Sequence, residues 1–130
     1  MKVYESAEDY LEAILTLRMR QGSVRSIDIA NELNYSKPSV SVAMKKLREN
    51  GYIEMDPDGL IRLLPAGEEI ANRIYERHRL LTDLFISIGV DPEVAAADAC
   101  KVEHDLSVET FQKIKEHVLG TPPEDGTPAE

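Results

Sequence analysis

The chain holds a single cysteine, Cys100. That excludes an internal disulfide framework. It has no apolar run long enough to cross a bilayer. Its N-terminus lacks the basic-then-apolar pattern of a secretory signal. It has no internal repeat. Together these absences predict a cytoplasmic protein. Positive charge is also in deficit: 15 basic residues against 24 acidic ones give a net charge of −9. Averaged over the chain, such a charge repels phosphate and argues against nucleic-acid binding.

The rest of the composition is that of a globular protein. Of the 130 residues, 42% are hydrophobic and 30% charged, which suits one domain or two small modules. The acid is unevenly spread. Residues 1–65 carry a net −1 and residues 66–130 a net −8. Residues 36–48 contain Lys37, Lys45, Lys46 and Arg48 with no acid among them. An acidic chain can therefore still present one basic face.

Local signals divide the chain into elements. Ser6 is a candidate cap for a first helix with an apolar stripe of Tyr10, Ile14 and Leu17, closed by Gly22. Ser26 is a candidate cap for a second helix, from Ile27 to Leu33. Asn34 and Tyr35 make a tight break, and Ser36 caps a third helix with Pro38 in its first turn. Tyr52–Met55 and Leu60–Leu64 read as two strands around the turn Asp56-Pro57-Asp58-Gly59. A long helix is expected from Glu68 to Ile88. Another follows from Asp91 to about Asp105, and a last one from Ser107 to about Leu119. The expected class is mainly α: a winged helix-turn-helix domain over residues 1–71, then a helical metal-binding and dimerisation domain over residues 72–120. Residues 121–130, rich in Pro and acid, are expected to be a disordered tail.

The third helix has the chemistry of a DNA reader. Small polar residues at its start and cations along it suit contact with base edges and phosphates. The candidates are Ser36, Lys37, Pro38, Ser39, Ser41, Lys45 and Lys46, with Arg62 on the hairpin. A serine-rich set predicts modest direct base readout, with shape and backbone contacts important.

A second constellation suits a cation. Asp9 and Glu12 lie three residues apart on the first helix. Cys100, Glu103 and His104 fall at i, i+3 and i+4 on the later helix, again on one face. His78 lies within the long helix. Carboxylates, imidazoles and a thiolate are the donors that divalent transition metals take.

These residues carry a resemblance to the diphtheria toxin repressor family of metal-dependent transcriptional regulators. Its pieces are Ala7-Glu8-Asp9-Tyr10-Leu11-Glu12, Ser36-Lys37-Pro38-Ser39-Val40-Ser41, Arg77-His78-Arg79-Leu80-Leu81 and the stretch from Asp98 to Ser107. The chain is most similar to the short, manganese-sensing branch without an SH3-like domain. The resemblance implies metal ligation by Asp9, Glu12, His78, Glu103 and His104. Cys100 stands where that branch has a glutamate and is typical of the iron-sensing branch, whereas iron sensors carry methionine in place of Asp9. The implied ligand set is thus a hybrid. Thr82 and Ala96 stand where iron sensors place a glutamate and a histidine of an ancillary site. Fe²⁺ is expected slightly ahead of Mn²⁺, with Zn²⁺, Co²⁺ or Ni²⁺ able to substitute in vitro.

The implied activity is metal-dependent repression of metal-homeostasis genes by a homodimer on a palindromic operator, with no membrane partner and no catalysis. Val94, Val102, Leu106, Phe111, Ile114 and Val118 are the candidate dimer residues. The rival is a metal-independent winged-helix regulator that senses a small organic ligand.

Overall fold

The computed structural model describes residues 5–120. Three helices come first: α1 (Glu5–Gln21), α2 (Ser26–Leu33) and α3 (Lys37–Glu49). A hairpin of β1 (Ile53–Met55) and β2 (Ile61–Leu63) follows, then α4 (Pro65–Ser87), α5 (Pro92–Val102) and α6 (Val108–Leu119). The mainly helical class with a winged helix-turn-helix is the one expected from the sequence. The chain divides into two compact units, Met1–Ile74 and Tyr75–Glu130. The tail at 121–130 lies outside the described residues.

In the first unit, helical spacing turns Leu11, Ile14, Ile29, Val40, Met44 and Leu47 into one buried core, closed by Ile53, Ile61, Ile70 and Ile74. Asn34 ends α2 in the left-handed region at φ 57°. Ser36 caps α3, its Oγ accepting from the Ser39 amide at 3.3 Å. Pro38 sits in that first turn, where no helical N–H is needed. The strands pair antiparallel, Ile53 with Leu63 and Met55 with Ile61. Val24 extends this small sheet by accepting from the Ile61 amide at 2.8 Å. Tyr10 is buried and meets Tyr35 edge-on, ring centroids 5.7 Å apart. Burial, then the neighbouring Tyr35 and Asp9, pushes the Tyr10 pKa above the ordinary tyrosine value.

Several boundaries differ from the sequence expectation. Ser6 lies inside α1 rather than capping it. The N-cap of α2 is Arg25, not Ser26, because the Asp28 carboxylate turns back to accept from the Arg25 amide at 2.9 Å. Each strand is shorter than expected. The Tyr52 amide is taken by Leu47 O at the end of α3, and the Leu60 amide by the Asp56 carboxylate of the turn. The long helix starts at Pro65, three residues early, since a proline with fixed φ is suited to the first helical position.

In the second unit, Leu80, Leu81, Ala95, Ala99 and Phe111 are buried. Asp91 caps α5 by accepting from the Glu93 amide at 3.1 Å, and Ser107 caps α6 by accepting from the Thr110 amide at 3.1 Å. The helix expected to reach Asp105 stops at Val102. There the ladder tightens, the Asp105 amide reaching only to Val102 O at 3.0 Å.

Gly67, in the first turn of α4, is fixed by close packing. A Cβ there would lie 2.1 Å from the Tyr52 carbonyl oxygen. Backbone cannot yield as a side-chain tip can. Gly67→Ala is predicted to destabilise the chain by about 3 kcal/mol, read as a lower urea midpoint. An unchanged midpoint would contradict this packing.

Candidate metal centre and nucleic-acid face

The second unit gathers four of the residues singled out as metal ligands. His78 projects from α4 and Cys100 from α5. Glu103 is the C-cap of α5, and His104 lies in the turn after it. The expectation that Cys100, Glu103 and His104 share one helical face is corrected for His104, which lies beyond α5; Glu103, the C-cap, keeps helical backbone angles and donates its amide to Ala99 O at 2.9 Å. The turn brings these residues around a common carboxylate. Glu103 is fully buried, at 0% exposure. His78 Nδ1 stands 2.8 Å from its Oε2, and His104 Nε2 stands 3.6 Å from its Oε1. Cys100 Sγ and a Glu103 carboxylate oxygen lie within 4.8 Å of one another.

Arg77 holds this turn from behind. It is buried, and its Nη1 donates to Glu103 O at 3.1 Å and to Leu106 O at 2.8 Å. Its guanidinium lies 5.1 Å from the centre of the Phe111 ring, within cation–π range. One residue of α4 thus grips the Glu103 backbone while the next, His78, meets its side chain.

The two oxygens of Glu103 are unequal. Oε1 is buried and accepts no hydrogen bond. A buried acceptor left so costs about 1–3 kcal/mol, more when charged. A cation would remove that cost, and the imidazoles, carboxylate and thiol are of the types that hold a divalent transition metal. The residues present therefore fit such an ion. Thr82 donates to His78 O of its own helix at 2.7 Å.

In the first unit, Asp9 and Glu12 are half-buried on α1. The other candidate face of this unit is the outer side of α3. Ser36, Lys37, Pro38, Ser39, Ser41, Lys45 and Lys46 are all exposed, and the first turn carries no acid. Arg62 is exposed on β2 but pairs across the hairpin with Glu54. One residue of this face escaped the sequence reading: Val42, 56% exposed among the lysines and serines. Its signal was an apolar residue out of phase with the buried stripe.

The residues picked as dimer contacts divide. Val94 is exposed, and Val102, Leu106, Ile114 and Val118 are half-buried. Phe111 is turned inward under Arg77. Ile86 and Ile88, at and just beyond the end of α4, are exposed apolar residues that the sequence reading did not choose as dimer contacts.

The family model described as the iron dependent repressor N-terminal DNA binding domain matches residues 2–60, and that of the metal binding and dimerisation domain matches residues 64–127. The transcriptional regulator MntR of Salmonella typhimurium is 37% identical over 107 residues, which are 82% of this chain and 68% of that protein. The HTH-type transcriptional regulator MntR of Lysinibacillus sphaericus is 34% identical over 113 residues, 87% of this chain and 81% of that one. The crystal structure of IdeR from T. acidophilum superposes with a TM-score of 0.77 at 29% identity, covering 100% of this chain and 64% of that chain. A manganese-dependent transcriptional repressor in complex with manganese gives 0.79 at 26% identity, covering 95% and 62%. The chain thus spans less than two thirds of the length of these two solved chains.

The buried carboxylate makes a stability prediction. In metal-free protein, Glu103→Gln removes a desolvated charge and keeps the shape, so stability is expected to be unchanged or raised by about 1 kcal/mol. The same variant is expected to lose any rise in thermal midpoint that a divalent transition metal brings to the parent chain. A metal-free loss above about 2 kcal/mol, or an undiminished response to Mn²⁺, would contradict this account of Glu103.

Proposed function

The chain belongs to the iron dependent repressor family, and on that premise we propose that it is a homodimeric DNA-binding repressor controlled by a divalent transition metal. The observation that carries the proposal is the buried Glu103 carboxylate, one oxygen unsatisfied, beside His78, His104 and Cys100. Such an arrangement is costly without a cation and apt for one. A metal-independent regulator is not favoured, because residues 64–127 match a metal binding and dimerisation domain.

His78, Cys100, Glu103 and His104 would hold the ion in the second unit, and α1 would supply Asp9 and Glu12. The ion would bring positive charge that offsets these acids. Glu103 accepts it without reorganisation because Arg77 already fixes its backbone. Asp9 and Glu12, on a helix of the DNA-reading unit, make the state of that unit depend on ligation. Control requires tighter metal binding in the DNA-competent state than in the other. The thiol of Cys100 gives a hybrid donor set, which favours Fe²⁺ slightly over Mn²⁺; Zn²⁺, Co²⁺ and Ni²⁺ suit it as replacements in vitro.

On DNA, α3 would enter the major groove. Ser36, Lys37, Pro38, Ser39 and Ser41 would lie at the bases and nearby phosphates, Lys45 and Lys46 on the backbone, and Arg62 at the flanking groove. Two copies would read a palindrome with half-sites about 34 Å apart. Val94, Val102, Leu106, Ile114 and Val118 supply apolar surface for pairing the copies, with Phe111 supporting them from within. Cytoplasmic residence accords with this role, and among the described residues no helix is long and apolar enough to cross a membrane.

The test uses a duplex enriched from randomised DNA by the full chain with Mn²⁺. Metal is expected to tighten binding about 5- to 150-fold. Asp9→Ala, and the pair Cys100→Ala with His104→Ala, are expected to lose that gain while keeping the helical circular dichroism spectrum. Variants that respond to metal like the parent would overturn the ligand assignment. Lys45→Ala should lower affinity across sequences and reduce the salt slope by about 1.

A further inference from the structure

Along α3 the buried stripe is Val40, Met44 and Leu47. At about 100° per residue, Val42 points about 160° away from both Val40 and Met44. It therefore stands at the middle of the outward face, and it is 56% exposed. Its neighbours on that face are Pro38, Ser39, Ser41, Lys45 and Lys46, all exposed. A β-branched residue is not chosen there for helix propensity. Nor does it pack into the core. It is the one exposed large apolar side chain on a stretch, residues 36–48, with four cations and no acid.

That setting specifies what Val42 can recognise. The surrounding charge fits a phosphate backbone, and the residue lies in the first two turns of the helix, the part that approaches base edges. Valine neither donates nor accepts a hydrogen bond. Against guanine, adenine or cytosine edges it would cover polar groups without replacing their water. The major groove offers one apolar feature, the C5-methyl group of thymine. We propose that Val42 is a specificity-determining residue that reads thymine methyl groups in the major groove. The proposal rests on the reading of α3 as the DNA-binding helix and deepens it. It also adds to the modest direct base readout expected of the serines.

The methyl group can be removed without touching any hydrogen-bonding edge, by replacing thymine with deoxyuridine. The experiment uses the full chain with Mn²⁺ and the enriched duplex, each thymine replaced in turn, with affinity read by fluorescence anisotropy. At one or two positions per half-site, deoxyuridine is expected to weaken binding about fourfold, the value of one methyl-sized group withdrawn from water. Val42→Ser should abolish that sensitivity at the same positions. Val42→Thr, which keeps a γ-methyl, should retain part of it. The residue is exposed, so both variants are expected to keep the parent's thermal midpoint. Equal affinity for thymine and deoxyuridine duplexes, or the same sensitivity in Val42→Ser as in the parent, would overturn the assignment of Val42 alone. Failure of the parent chain to enrich or bind any duplex would overturn the DNA-binding reading beneath it.

Discussion

Taking a carboxylate out of water costs several kcal/mol unless its oxygens find partners. Glu103 has no solvent exposure, and only one of its oxygens is hydrogen-bonded, to His78 at 2.8 Å. Arg77 nevertheless holds the turn in place, its buried guanidinium donating to Glu103 O and to Leu106 O. A fold that keeps a half-satisfied anion fixed in this way sacrifices stability for readiness to bind a cation. The neighbouring imidazoles and thiol give that readiness a chemical preference. Glu103, more than any single helix, is the residue through which the proposed metal control would act.

The first unit has a different logic. Its core is built by ordinary helical and strand periodicity, and its charge is arranged so that α3 stays basic inside an acidic chain. Salt bridges elsewhere in the unit, such as Arg18 with Glu68 at 2.5 Å and Arg73 with Glu8 at 2.8 Å, pair cations away from that face. The lysines of α3 need no such partners if phosphate is what they meet. Long-range attraction would then come from the lysines, and discrimination between base pairs from the few side chains at the centre of the helix face.

Much of this architecture can be read from residue pattern. Ser36 with Pro38, Asp91 with Pro92, and Ser107 each mark a helix start that the structure shares, because caps and prolines act locally. The Asp56–Gly59 turn is equally local, closed by the Gly59 amide on Asp56 O at 2.9 Å. The misses have non-local or competing causes. The end of α5 at Val102 involves Arg77, 26 residues away from Glu103, which no window of local sequence contains. Arg25 displaces Ser26 as cap because Asp28 turns back on it. At the candidate centre, residue types were legible in Cys100, Glu103 and His104, but the place of His104 beyond the helix was not. Burial of Glu103 and inward packing of Phe111 follow from tertiary contacts that the sequence only implies. Val42 was overlooked because an apolar residue is ordinarily assigned to a core.

The central claim is that a divalent ion bound at the Glu103 cluster governs the grip on DNA. The most direct measurement is the affinity of the full chain for its enriched duplex as free Mn²⁺ or Fe²⁺ is raised under anaerobic conditions at constant ionic strength. The account predicts weak binding in chelator, a rise that saturates with metal, and, by reciprocity, tighter metal uptake in the presence of the duplex. Equal affinity in chelator and in saturating metal would contradict it.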